Sequence, residues 1–185
     1  MALVFNERKA TQAAARFLEL SDGFMNYMSL IKHLYLLDRE ALLRWGRLVS
    51  YGDLFEMKLG PVVSQVHDLI TEMSPANEDR FWPKFISVPS NWKVGRLNDP
   101  GRGELSEAEE ELIGEIHALY GHYEPFDLVD LLHKILPELK GVTKGRIPIQ
   151  VSDILLAENW GQEDINAVEL EIESLGRLDA LFSIK

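Results

Sequence analysis

The chain has no cysteine, so disulfides, thiol catalysis and thiolate metal sites are all excluded. The same absence fits a reducing cytoplasm, which is the expected location. Positive charge is scarce: 19 Lys and Arg stand against 30 Asp and Glu, a net charge of −11. A surplus of that size repels phosphate backbones and anionic membrane surfaces, and neither nucleic acid nor membrane is an expected partner. No stretch approaches the roughly 18 uncharged apolar residues of a membrane span, and Met1 to Ala10 has no apolar run of signal-peptide length. Catalytic signatures are missing too. There is no Gly-x-Ser-x-Gly and no His-Glu-x-x-His, and Lys144 precedes Gly145, the reverse of a phosphate-loop ending.

What the chain does have is apolar material for one core: 185 residues, 46% of them hydrophobic, read as a single domain over 1–185. The expected fold class is α+β and predominantly α-helical, with a buried central helix surrounded by helices and a small antiparallel β element. The central helix runs from Met25 to Trp45. Its apolar residues fall on most sides of a 3.6-residue wheel, which suits the middle of a domain. One polar stripe is left, Asn26, Ser29, His33, Glu40 and Arg44, and Ser21-Asp22-Gly23 supplies turn and capping chemistry upstream. Ahead of it, residues 8–20 form an Ala-rich amphipathic helix with Ala14, Phe17 and Leu18 on one side.

After Gly46, Leu54 to Leu59 reads as a short strand ended by Gly60, and Pro61 suits the first position of a helix from Val62 to Glu72. Lys84 to Val88 and Trp92 to Leu97 flank the turn-rich Pro89-Ser90-Asn91 and form the small antiparallel element. Ser106-x-x-Glu109 is a capping box that opens a helix from Glu107 to Tyr120, stopped by Gly121. A second helix runs from about Pro125 to Leu136 and closes at Pro137, and Gly141 to Gln150 is a basic loop with Lys144 and Arg146. From about residue 150 to 185 the chain turns acidic. Ile165, Val168, Ile172 and Leu175 keep helical spacing there, so the segment reads as an ordered amphipathic helix.

Taken in order, Lys32-His33-Leu34-Tyr35-Leu36-Leu37-Asp38-Arg39-Glu40, Met57-Lys58-Leu59-Gly60-Pro61-Val62-Val63, Leu105-Ser106-Glu107-Ala108-Glu109, Tyr120-Gly121-His122 and Asp130-Leu131-Leu132-His133 resemble the Panacea antitoxin domain, also called SocA-like. The resemblance covers roughly residues 10–140. The ordered series carries it, since a lone Gly-Pro-Val is common. Its motif positions here are Lys32, Tyr35, Asp38, Gly60, Pro61, Val62 and His133. Leu132 departs from the pattern, which has a small polar residue before the histidine, and this weakens a functional reading of His133. The resemblance implies an antitoxin of a toxin-antitoxin system that binds its cognate toxin directly and needs no cofactor, with phage defence as a setting. Within the same family a member can act as an adaptor that hands the toxin to an energy-dependent protease unfoldase. An acidic antitoxin suits a basic toxin, because opposite potentials speed and orient encounter. The family name does not give the toxin or the oligomeric state.

Two other classes stand beside this one. A metal-dependent hydrolase would use His122, Asp130 and His133, since imidazole with carboxylate is a zinc or iron ligand set. Asp130 and His133 equally describe a helix-surface pair, however, and no metal is expected. A transcriptional autoregulator would need a basic recognition helix, and the sequence offers none. Partner-binding residues are sought among Trp and Arg, which are enriched where proteins dock. Arg44, Trp45 and Arg47 end the central helix, and Trp92 lies in the β element, whose edge is where a partner strand is expected. Asp38, closing an apolar run, is read as half of a structural ion pair with Lys32 or Lys58. Gly60-Pro61 is read as a tight strand-to-helix turn.

Overall fold

The computed structural model describes residues 4–72 and 79–182, with side chains as far as Leu175. Among these residues, seven α-helices and two small antiparallel sheets, of two and three strands, make the expected α+β and predominantly helical fold. Helix α1 (Glu7–Leu20) starts where the Asn6 side chain accepts the Lys9 N–H at 2.9 Å, and it buries Ala10, Ala13, Ala14, Phe17 and Leu18 against its neighbours. Asp22 and Gly23 then take left-handed backbone, φ 57 and 93, and turn the chain back.

The central helix is shorter at its start than expected. Phe24–Asn26 is strand β1, and Asn26 caps α2 (Tyr27–Trp45) by accepting the Met28 N–H at 2.9 Å. Thirteen of the 19 residues of α2 are buried, which puts it at the centre of the fold. Its polar stripe is not a solvent face, because Ser29 and His33 are buried and only Glu40 and Arg44 reach outward. The His33 Nδ1 lies 2.7 Å from the Ser29 carbonyl, and burial pushes its imidazole down to about 4. Gly46, in the left-handed region at φ 66, ends the helix.

The segment after Gly46 corrects two expectations. Leu54–Met57 (β2) and Gly60–Val63 (β3) form a hairpin around Lys58-Leu59, so Gly60 and Pro61 belong to a strand and not to a strand-to-helix turn. Pro61 is tolerated because β3 is an edge of the three-stranded sheet, where a missing N–H removes no ladder bond. Helix α3 (Ser64–Thr71) starts only afterwards. The third strand, β5 (Arg146–Pro148), comes from the stretch read as a basic loop; three residues leave no period to detect. Likewise β4 (Lys93–Gly95) pairs with β1, and only the bridge Ile86↔Arg96 remains of the expected pairing with residues 84–88. Trp82–Lys84 is instead a 3-10 turn that buries Trp82.

The later helices follow their caps. The capping box of Ser106 and Glu109 opens α4 (Glu107–Tyr120), and Pro125 opens α5 (Pro125–Ile135). The acidic segment is two helices, α6 (Val151–Ala157) and α7 (Gln162–Phe182), divided near Asn159 at φ 62. Buried residues from α1 through α7 form one cluster around α2, with Ile165 and Val168 of α7 included.

Candidate functional site

Helix α2 carries polar side chains into the core, and Lys32, Tyr35, Asp38 and Arg39 hold distant segments in place. Asp38 accepts the N–H groups of Val49 and Ser50, both at 2.7 Å, together with the Ser50 hydroxyl. It is therefore no half of an ion pair: backbone donors satisfy it, as a buried carboxylate requires. Burial pushes it up to about 6 against those donors. Tyr35 Oη and Arg39 Nε both donate to Glu138 Oε1 at 2.8 Å, and Arg39 also pairs with Glu158 at the end of α6. Two further carboxylates are buried: Glu109, read from the sequence only as a helix cap, and Glu56, not singled out from the sequence. Glu56 on β2 accepts the N–H groups of Lys140, Gly141 and Val142 at 2.7 to 3.0 Å. Glu109 accepts from Lys9 at 2.9 Å and Arg47 at 3.0 Å. A lone acid inside an apolar strand was the available signal for Glu56.

The remaining motif residues meet at one junction of α2, β3 and α5. Lys32 Nζ donates to the Pro61 carbonyl at 2.9 Å. Gly60 sits between Lys32 and His133: a Cβ there would lie 3.4 Å from His133 Cε1 and 3.6 Å from Lys32 Nζ. Its φ of 87 is the reason for glycine at this position. His133 Nδ1 lies 2.8 Å from the Val129 carbonyl one turn back, and Leu132, where the family pattern has a small polar residue, is wholly buried. His122 packs against Tyr123 with centroids 4.3 Å apart and the rings tilted by 36°. Among the described residues no group of three or more His, Asp or Glu could hold a metal ion, so His122, Asp130 and His133 do not assemble a ligand set.

The four residues first considered for partner binding are not brought together. Arg44 pairs with Glu115 of α4 at 2.6 Å, and Arg47 pairs with Glu109 and lies 5.5 Å over the half-buried Trp45 ring. Trp92 is at the other end of α2, stacked on Tyr27 with centroids 6.0 Å apart. Tyr27 and Trp45 are the two ends of the 19-residue α2, about 27 Å apart at the α-helical rise.

A surface does gather around Tyr27. Ser90 and Lys93 exchange two backbone hydrogen bonds, 2.8 and 2.9 Å, around Asn91 at φ 49 and Trp92 at φ 63. This is a two-residue turn with both central residues left-handed, a geometry that suits Asn and resists a bulky ring. Trp92 is nevertheless 71% exposed, pinned by its carbonyl accepting the Tyr27 N–H at 3.0 Å. Beside it Phe126 (67% exposed) and Leu59 (43%) border a shallow pocket of about 360 Å³. Tyr27, Met28 and Leu59 continue from there into a groove of about 690 Å³ walled by Ile31, Met57 and Val62. Lys32 lies in that wall, where burial pushes its ammonium down to about 7, and the exposed Lys58, Lys144 and Arg146 join the lining beside His67, Thr71 and Thr143.

Exposed aromatics next to an apolar groove with polar groups at its margin are the make-up of a protein-docking face. The chain belongs to the SocA-like antitoxin family: the family model described as "Antitoxin SocA-like, Panacea domain" matches residues 30–136, more than half of its length. No curated protein and no solved structure matches it significantly. The matched region contains the junction of Lys32, Gly60, Pro61 and His133 and the whole of the Tyr27 surface except Asn26, Tyr27 and Met28 and the 143–146 segment. The family is one of antitoxins, and a toxin is the kind of partner such proteins have. Among the described residues no helix is long and apolar enough to cross a membrane.

Proposed function

We propose that this protein neutralises a cognate toxin by binding it directly through the surface around Tyr27 and Trp92, without a cofactor and without catalysis. The observation that carries the reading is Trp92. A bulky ring held at φ 63 opposes the local backbone preference, and such strain concentrates where a residue is kept for what it contacts. A large exposed aromatic flanked by Phe126 and Leu59 has the composition of an interface centre. Arg44 and Arg47 are engaged by Glu115 and Glu109, so the interface is assigned to the Tyr27 end of α2 and not to the Trp45 end. The setting is the cytoplasm, and the chain acts as one domain.

The experiment is co-expression with the toxic product of the adjacent reading frame, scored by growth and by co-purification. Wild type rescues, and Trp92→Ala and Phe126→Ala stay folded but fail, since truncating a true anchor costs about 2 kcal/mol or more of binding. Arg44→Ala rescues fully. A host lacking its energy-dependent proteases separates the two modes: rescue that persists there indicates sequestration, and rescue that disappears indicates delivery to an unfoldase. Failure of wild type to protect against the neighbouring product refutes the antitoxin reading.

A further inference from the structure

The groove beside Tyr27 is charged in a way the rest of the chain is not. In a protein of net charge −11, its lining contains Lys32, Lys58, Lys144 and Arg146 and no Asp or Glu. Lys32 is the decisive member. It is 2% exposed, and its ammonium makes one hydrogen bond, to the Pro61 carbonyl; no carboxylate among the described residues pairs with it. Lys58 and Lys144 also have no ion-pair partner among the described residues. Arg146 reaches Ser64 Oγ at 3.2 Å and lies 4.8 Å over the Phe55 ring.

A buried ammonium has three donors and destabilises the fold unless an anion meets it. Elsewhere the cations that reach into this core meet carboxylates, Arg39 with Glu138 and Lys9 with Glu109. The rest of the lining is mostly apolar, with Met28, Ile31, Met57 and Val62 in its walls and His67, Thr71 and Thr143 as further polar members. The complementary ligand has one carboxylate on an apolar body. We propose that this groove receives an Asp or Glu side chain set among apolar residues of the partner protein, with its carboxylate meeting Lys32. The inference rests on the antitoxin reading and adds the chemistry of the docked segment, which is acidic here, opposite to what the net charge alone suggests. A nucleic acid is the less suitable occupant, because apolar walls do not match a polyanion and the overall charge repels one.

The probe is hexanoate, a carboxylate on an apolar chain, titrated into methionine methyl-labelled protein and followed by NMR. Met28 and Met57 report from the groove walls, and Met25, outside them, is the control. Hexanoate should shift Met28 and Met57 saturably, with hexanol binding about tenfold more weakly and Lys32→Met reduced to the hexanol level. Should Lys32→Met not fold, Lys58→Met and Lys144→Met carry the same test with a smaller loss. Equal shifts with hexanol, or unchanged hexanoate binding in the lysine variants, overturn the proposal. So does saturable displacement by inorganic phosphate or an oligonucleotide, which would assign the groove to phosphate chemistry. In the toxin co-expression assay the folded K58E/K144E variant should lose rescue. Rescue by wild type and by that variant alike overturns the proposal while sparing the antitoxin reading. Loss of rescue by wild type removes both.

Discussion

Lys32 makes a prediction that can be worked through in numbers. Its ammonium is buried in a wall of apolar side chains, and its folded value of about 7 lies well below the ordinary 10.5 because burial penalises the charged form. The unfolded chain keeps that proton up to about 10.5, and the folded chain releases it near 7. Between those values the unfolded state binds more protons, so stability rises with pH across that window and is lowest below it. At about 1.4 kcal/mol per pH unit, the full penalty below pH 7 is about 5 kcal/mol. Lys32→Met removes the charge and keeps the length of the side chain. It also strips the Pro61 carbonyl of its donor, at a cost of about 1 to 3 kcal/mol. The variant should therefore be more stable than wild type by about 2 to 4 kcal/mol at pH 6, and the gap should close, or reverse, as pH approaches 10. Urea unfolding followed by tryptophan fluorescence at several pH values measures the difference. His133 and His67, on α5 and α3, are present in both proteins. A gap that does not vary with pH, or a variant less stable than wild type at pH 6, would refute the claim that a buried and unpaired ammonium sits in this groove.

Three other substitutions test separate parts of the fold. Gly60→Val should lower stability by about 1 to 3 kcal/mol, seen as a lower melting temperature, because a β-branched residue resists φ 87; an unchanged melting temperature would show that the hairpin does not need that geometry. Asp38→Ala leaves two buried N–H groups unpartnered and the Ser50 hydroxyl without its acceptor and should cost about 3 to 5 kcal/mol in urea unfolding, with Asp38→Asn milder. Trp92→Gly relieves the left-handed strain and should hold or raise the melting temperature while toxin rescue is lost, a combination that a core tryptophan would not give.

Much of the helical frame was determined by the sequence alone, for local reasons. The capping box of Ser106 and Glu109, Pro125 at a helix start and Gly121 at a helix stop act within one turn of the residues that show them. The central place of α2 followed from apolar residues on most of its sides, and the ordered motifs from Lys32 to His133 indicated the family that the 30–136 match shows. Strand pairing was decided elsewhere. β1, β4 and β5 are three residues each, too short for a period of two to register, and β1 finds its partner at Lys93–Gly95, far along the chain. Asp38 illustrates the same limit: the sequence shows a carboxylate at the end of an apolar run, and only the folded backbone decides that Val49 and Ser50 satisfy it. The tryptophans are chemically alike in the sequence, yet Trp82 is buried in a 3-10 turn and Trp92 stands 71% exposed on a strained one. The groove lies furthest from any local reading. Its cations come from α2, the β2–β3 turn, the segment before β5 and β5 itself, and they line one groove because β2 pairs with both β3 and β5 while α2 packs on β3.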